Sequence, residues 1–395
     1  MIIMHTGSIV DQEKKVEYMI PSKRNFSENK ITEIQSIYGG FDAQITKYGF
    51  KVILKELSIK NMPLFIPKDL TLSDSVELFA KEIVHSKKIY TIYTENIVML
   101  NALNAEISKK RKVDKVLVID THNFYHRNFH ALPKMYDSEG RPTTLLKAMS
   151  NLLKWIAVKD YTHIVFATEG EGSHRIDYTT KILGAEKAYK ANRSKTDLEL
   201  VQQIEMVETF LTEVGYPVLK VKKYEADDII ASVAHKFHNE YGAEVHAFTG
   251  DKDLCQLYEY PGFKIIDVKS KEILGEEYLL KKFNVNSQQF LDYQSIVGDT
   301  ADNIVGVKGI GGAGAVDLLN EFGTLESIIN NVEHIKQTAR RNAFINGGIE
   351  SSLLAKDLVY MRRTLLDKTD ISQLARKYFD INKLVKEYLS NYQIN

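Results

Sequence analysis

One cysteine, one tryptophan and seven prolines stand in a chain of 395 residues. The lone Cys255 excludes a disulfide framework and any cysteine-based zinc site, and it fits a reducing compartment. No run of about 18 apolar residues offers a membrane span, and no signal peptide opens the chain, so a soluble, intracellular protein is expected. Low-complexity segments and internal repeats are missing too. Net charge is the last absence: 52 Lys+Arg meet 52 Asp+Glu. What is present is core-forming material, 44% hydrophobic and 10% aromatic, in a length that suggests two or three domains.

Split by position, the zero charge resolves into a cancellation. Residues 111–200 carry 15 basic and 11 acidic side chains, whereas residues 201–300 carry 10 and 17, a net of −7. The basic run Lys109-Lys110-Arg111-Lys112 marks a domain boundary and leads into Val116-Leu117-Val118-Ile119-Asp120. That apolar run reads as a strand buried on both faces with a carboxylate at its C-terminal edge. Upstream, Lys51–Leu54 and Ile89–Val98 read as strands and Ser73–His85 as a helix capped by Ser73, so residues 1–110 are expected to form a small α+β unit without visible chemistry. Downstream, the strands Ile164–Ala167 and Val245–Thr249 alternate with helices over Leu198–Val214 and Ala226–Tyr241. Such alternation implies a parallel sheet covered by helices, with a site at the strand C-termini. After residue 285 the pattern becomes mainly helical, with glycine-rich turns around 306–314.

Acidic residues gather where the strands end. Asp120 closes the first strand, Glu225-Ala226-Asp227-Asp228 opens a helix, Asp251 and Asp253 follow the strand ending at Thr249, and Asp299 and Asp302 are spaced for one helical face. Each alone reads equally as a cap or a helix-start acid. Together they place eight carboxylates on one sheet edge, and two carboxylates about 5 Å apart repel by about 3 kcal/mol at an effective dielectric of about 20. Hard divalent cations relieve that repulsion, and all-oxygen donors without histidine or cysteine suit Mg²⁺ or Mn²⁺. A pair of such ions about 4 Å apart is the arrangement that serves phosphodiester hydrolysis by water. Arg175–Lys195 adds six basic residues against two acidic ones, a stretch fit to attract phosphate or to form a solvated helix face.

Residues 115–370 resemble the 5′-nuclease, or flap endonuclease, family: the 5′→3′ exonuclease domain of bacterial DNA polymerase I and the stand-alone nucleases of bacteriophages. The resemblance rests on Val118-Ile119-Asp120, Tyr224–Asp228, Thr249–Asp253, Gly298–Asn303 and Gly306–Gly311, in matching order and spacing. It implies an α/β catalytic domain over 111–285 with a PIN-like parallel sheet, flanking helices and a helical arch. It also implies a C-terminal helix-three-turn-helix DNA-binding region over 286–395. Asp120, Glu225, Asp227, Asp228 and Asp251 resemble one set of metal ligands, and Asp253, Asp299 and Asp302 a second, for two Mg²⁺ or Mn²⁺ ions. Arg127, Lys190 and Arg193 resemble the arginines and lysine that approach the scissile phosphate, and Tyr189 an aromatic that stacks on a base, although it reads equally as a packing residue. Lys308, Gly309, Ile310 and Gly311 resemble the duplex-gripping turn, with K⁺ on its carbonyls. The implied substrates are nicked or 5′-flap DNA and RNA–DNA primer junctions, in bacterial or phage-infected cytoplasm. The resemblance does not cover residues 1–110, which are open to docking a replication protein or to extending the DNA surface.

Two departures stand out. Alignment on Arg175 puts Thr168, with Glu169 beside it, where the family has an aspartate; either Glu169 takes over with a longer reach or one metal site is weaker. Gly312-Ala313-Gly314 replaces a lysine-containing helix start. A structure-specific DNA-binding protein with reduced catalysis is therefore the alternative, although a pure binder of polyanionic DNA gains nothing from concentrated acids. Gly309–Gly314 also spells G-x-G-x-x-G, but it lacks the strand before it and the acid-ended strand after it that a dinucleotide site needs.

Overall fold

The computed structural model describes residues 113–193 and 196–375, Tyr388, and the backbone of six short strands before residue 94. Those six are β1 (Ile2–His5), β2 (Glu17–Pro21), β3 (Asp42–Thr46), β4 (Gly49–Ile53), β5 (Asn61–Phe65) and β6 (Ile89–Tyr93). They form two small sheets, β1-β6-β5 in parallel and β2-β4-β3 antiparallel. The strand expected at Lys51–Leu54 falls in β4 and that at Ile89–Val98 begins as β6. The helix expected over Ser73–His85 lies outside the described residues.

The central sheet is built from β7 (Lys115–Asp120), β8 (His163–Thr168), β9 (Val218–Lys220), β10 (Glu244–Thr249), β11 (Phe263–Asp267) and β12 (Ile273–Leu274). Its order is β12-β11-β10-β7-β8-β9, parallel throughout except for β12. Every residue from Val116 to Ile119 is fully buried, because helices cover both faces. On one face lie α1 (Thr121–Ala131), α2 (Thr144–Ala157) and α4 (Leu198–Glu213), packed on Leu117, Ile119, Ile164 and Phe166. Between α2 and α4 the chain forms the shorter helix α3 (His174–Leu183). The other face carries α5 (Ala226–Tyr241), packed on Val116, Val118, Val165 and Ala167.

The same apolar core runs on into the C-terminal helices. These are α6 (Glu277–Phe283), α7 (Ser287–Val297), α8 (Gly312–Phe322), α9 (Leu325–Asn330), α10 (Thr338–Ala343) and α11 (Ile349–Val359). The mixed α/β architecture with a mostly parallel sheet and a helical C-terminal region is the expected one. One local expectation fails. Asp299 and Asp302 share no helix: Gly298–Asp299 (β13) and Ile304–Val305 (β14) make a short antiparallel hairpin. Gly298 forces this, since its φ of +73° and the backbone of Ile304 and Gly306 crowding its Cα leave no room for a side chain or a continued helix.

Chain order reverses around β7: β8 and β9 extend the sheet on one side, β10 and β11 on the other. The C-terminal ends of β7 and β10 thus border the crevice where such sheets bind ligands.

Candidate active site

Strand alternation aims Asp120. Val116 and Val118 face α5, so the next residue in phase, Asp120, does too. Its carboxylate accepts from the Asn123 amide at 2.9 Å, capping α1, and from Thr249 Oγ1 at 2.7 Å. The Thr249 hydroxyl in turn accepts from the Asp251 amide, and Asp251 Oδ1 from the Asp253 amide. Asp253 also takes a hydrogen bond of 2.8 Å from Gln294 of α7, which ties the sheet edge to the C-terminal helices.

Asp227 and Asp228, adjacent on the first turn of α5, have opposite surroundings. Asp228 is fully buried and held by Arg175 of α3 through two hydrogen bonds, of 2.7 and 2.8 Å, and by the Arg362 and Glu225 amides. Burial works to raise its pKa, and the guanidinium outweighs it, leaving Asp228 below the usual carboxylate range. Arg175 in turn donates to the carbonyls of Leu358 and Tyr360. Asp227 has no such partner, and burial with repulsion from Asp251 and Asp120 lifts its pKa well above normal.

The basic segment after α3 folds into the site. Tyr189 is buried against Ile304, Leu358 and Val359, and its hydroxyl lies 3.0 Å from both Glu225 and Asp302. It therefore presents no free ring face to a base; it is a packing residue that holds two acids. Lys190 adopts φ +56°, a conformation costing about 1 kcal/mol or more outside glycine, fixed by its amide on the Asp302 carbonyl. Its ammonium sits 2.6 Å from Glu225, and Arg193 pairs with Asp302. Asp299 accepts from the Ala301 amide and stands 3.8 Å from Lys252.

A cavity of about 600 Å³ opens here, lined by Asp120, Glu225, Asp227, Asp251, Asp253 and Asp302 together with Arg127, Lys190 and Arg193. Asp228 and Asp299 stand outside the lining. Burial pushes Asp120 up to about 7, and burial with the neighbouring Asp251 and Asp299 pushes Asp253 up to about 8. Asp251 is raised for the same first reason. Buried oxygen donors in excess of their counter-charge fit hard divalent cations. Among the described residues, however, no three acids, histidines or cysteines converge closely enough to clasp an ion as they stand. Lys190 and Arg193 already engage the oxygens of Glu225 and Asp302.

Residues 115–284 match the 5′-3′ exonuclease N-terminal resolvase-like domain, and residues 285–382 match the 5′-3′ exonuclease C-terminal SAM fold. The chain belongs to the 5′-3′ exonuclease family. That family is one of phosphodiester hydrolases. It is 31% identical over 271 residues to DNA polymerase I of Rhizobium leguminosarum, covering 68% of this chain and 26% of that one. The 5′-3′ exonuclease of Aquifex aeolicus is 31% identical over 270 residues, covering 68% of this chain and 88% of that one. The chain thus spans 26–30% of the first DNA polymerase I relatives, and most of the Aquifex exonuclease. Among solved structures, the T5 5′-exonuclease with bound zinc superposes with a TM-score of 0.52 at 20% identity, over 70% of this chain and 98% of that one. That likeness concerns the fold.

Within this family frame the sequence overlooked the first turns of α1. His122, Asn123 and His126 line the cavity beside Arg127, and the rings of His122 and His126 pack at a tilt with centroids 4.3 Å apart. Burial lowers both imidazoles to about 4, helped for His122 by Lys190 and Arg193 and for His126 by His122, so both are neutral near pH 7. A helix that starts at a strand-end carboxylate lays its first two turns over the site, and that signal was available in Asp120-Thr121-His122. The turn at Gly309-Ile310-Gly311 leads into α8, with Gly311 as N-cap and Lys308 exposed at its start. A Cβ at Gly312 would lie 2.7 Å from the Tyr293 hydroxyl, so a larger residue there would require Tyr293 to shift.

Proposed function

We propose that the chain is a Mg²⁺- or Mn²⁺-dependent 5′-nuclease that cuts DNA or RNA-primer phosphodiesters next to single-strand/double-strand junctions. The observation that carries this is the set of acids Asp120, Asp227, Asp251 and Asp253, buried or half-buried where β7 and β10 end and α5 begins, and crowded by one another's charge. Asp120, Glu225, Asp227 and Asp251 would hold one ion, and Asp253, Asp299 and Asp302 a second. Asp228 serves this set by anchoring Arg175 and the start of α5. Bound, the two ions supply neutralisation of the acids, polarisation of the phosphate and a more acidic attacking water.

The remaining work belongs to side chains. Lys190, Arg193 and Arg127 line the cavity with positive charge suited to a phosphate oxygen gaining charge in the transition state. Tyr189 positions Glu225 and Asp302. The turn at Lys308–Gly311 offers backbone amides at the α8 N-terminus to a phosphate of the downstream duplex, with K⁺ as a further candidate on its carbonyls. We place the catalytic unit at 111–285 and the DNA-gripping unit at 286–395, in the cytoplasm; residues 1–110 are open to docking a replication protein or to extending the DNA surface.

The test uses labelled 5′-flap and nicked duplexes with Mg²⁺, Mn²⁺ or EDTA. Metal-dependent release of 5′ fragments is expected. Tight flap binding without metal-dependent cleavage would instead favour a DNA-binding protein of reduced catalysis.

A further inference from the structure

Asp120 has two neighbours in its row across the sheet, and neither is an acid. Ala167 of β8 is its register partner on one side, and Thr249 of β10 hydrogen-bonds it on the other. Thr168 points to the opposite face, where its hydroxyl donates to Glu208 of α4 at 2.7 Å. A carboxylate on β8 that reaches the Asp120 face must therefore be at 167 or 169, because side chains alternate with period two. Position 169 carries Glu169, which lines the cavity with Asp120, Glu225 and Asp227.

The loop after β8 holds Glu169 in that direction. The Gly170 amide donates to the Tyr224 carbonyl at 2.9 Å, and the Lys223 amide to the Glu171 carbonyl at 2.9 Å. A Cβ on Gly170 would sit 1.8 Å from the Val221 carbonyl oxygen, so only glycine lets the two backbones approach this closely. Glu169 is thereby fixed to the same segment that presents Glu225. Among the described residues its ion-pair contact is His122 Nδ1 at 3.5 Å, too long for a strong hydrogen bond; Lys190 and Arg193 act on it only as nearby charges, and its side chain is about a third exposed.

We propose that Glu169 is a further cation-holding carboxylate of this site, supplying on the Asp120 face a negative charge that neither Ala167 nor Thr249 beside Asp120 supplies. The proposal rests on the divalent-metal reading above. Mn²⁺ binding to the metal-stripped full chain, followed by electron paramagnetic resonance of free Mn²⁺ without DNA, tests it apart from catalysis. Glu169→Gln is expected to weaken Mn²⁺ binding tenfold or more, Glu169→Asp to weaken it less, and Thr168→Ala to leave it within about twofold. Glu169→Gln binding like wild type, while Asp251→Asn binds more weakly, would overturn the role of Glu169 and leave the metal reading standing. Wild-type binding by both variants would overturn both.

Discussion

Asp227 and Asp228 are neighbours with the same side chain and opposite tasks. Asp228 forms a buried ion pair with Arg175, and removing one partner leaves the other charge buried alone, which costs about 3–5 kcal/mol. Asp228→Asn should therefore lower the urea midpoint sharply, whereas Asp227→Asn should leave it unchanged or raise it while abolishing cleavage. Equal stability losses in the two variants would contradict this division. The eight acids were legible in the sequence, but this division was not. The decisive partner of Asp228 lies 53 residues upstream on another helix. The choice between stacking and packing for Tyr189 was illegible for a similar reason: only the packed structure shows its ring against Leu358 and Val359. A second residue-scale test concerns His246, buried beside Tyr161, whose pKa falls to about 4 through burial and the charge of Lys115 and Lys264, against Glu244. A histidine ordinarily titrates near 6.5, so between pH 6.5 and 4 the unfolded chain takes up a proton that the folded one refuses. The stability this group contributes is thus whole above pH 6.5 and lost as pH falls toward 4. His246→Gln should flatten that part of a urea-midpoint-against-pH curve; an unchanged slope would contradict it.

Elements were read more reliably than contacts, because their signals are local. Helix α5 spans Ala226–Tyr241 as its periodicity predicts, and the buried strands β7, β8 and β10 match their apolar runs. The hairpin at 298–305 was missed because three-residue spacing fits a helix equally well, and only the positive φ of Gly298 decides against one. Two close approaches give predictions. Gly170→Ala drives a methyl into the Val221 carbonyl, so it should destabilise the fold by more than about 1 kcal/mol and reduce cleavage by displacing the 169–174 loop. Lys308→Ala should weaken duplex binding equally for all sequences and lower the salt dependence of log K by about 1. A preference for particular sequences in that variant would place Lys308 on bases instead of the backbone.

Across the whole molecule, the C-terminal helices complete the floor of the site as well as extend the core. Leu358 and Val359, at the end of α11, line the cavity, and their carbonyls receive Arg175 and Gln256. The central sheet and the C-terminal helices are thus joined at the cavity. The zero net charge of the chain now has a spatial meaning: Lys190 and Arg193 fold directly onto Glu225 and Asp302, cancelling charge inside one cavity. The alternation of strands and helices made the sheet legible, while this convergence spans more than a hundred residues and left no local trace. The central claim is that the remaining acids require divalent cations to act on a phosphodiester. The most direct measurement is cleavage of a labelled 5′-flap duplex by wild type and by the Asp120→Asn/Asp251→Asn double variant, each with Mg²⁺ and with EDTA. Product is expected only for wild type with Mg²⁺; comparable cleavage by the double variant, or by wild type in EDTA, would show that these acids and their cations are not needed.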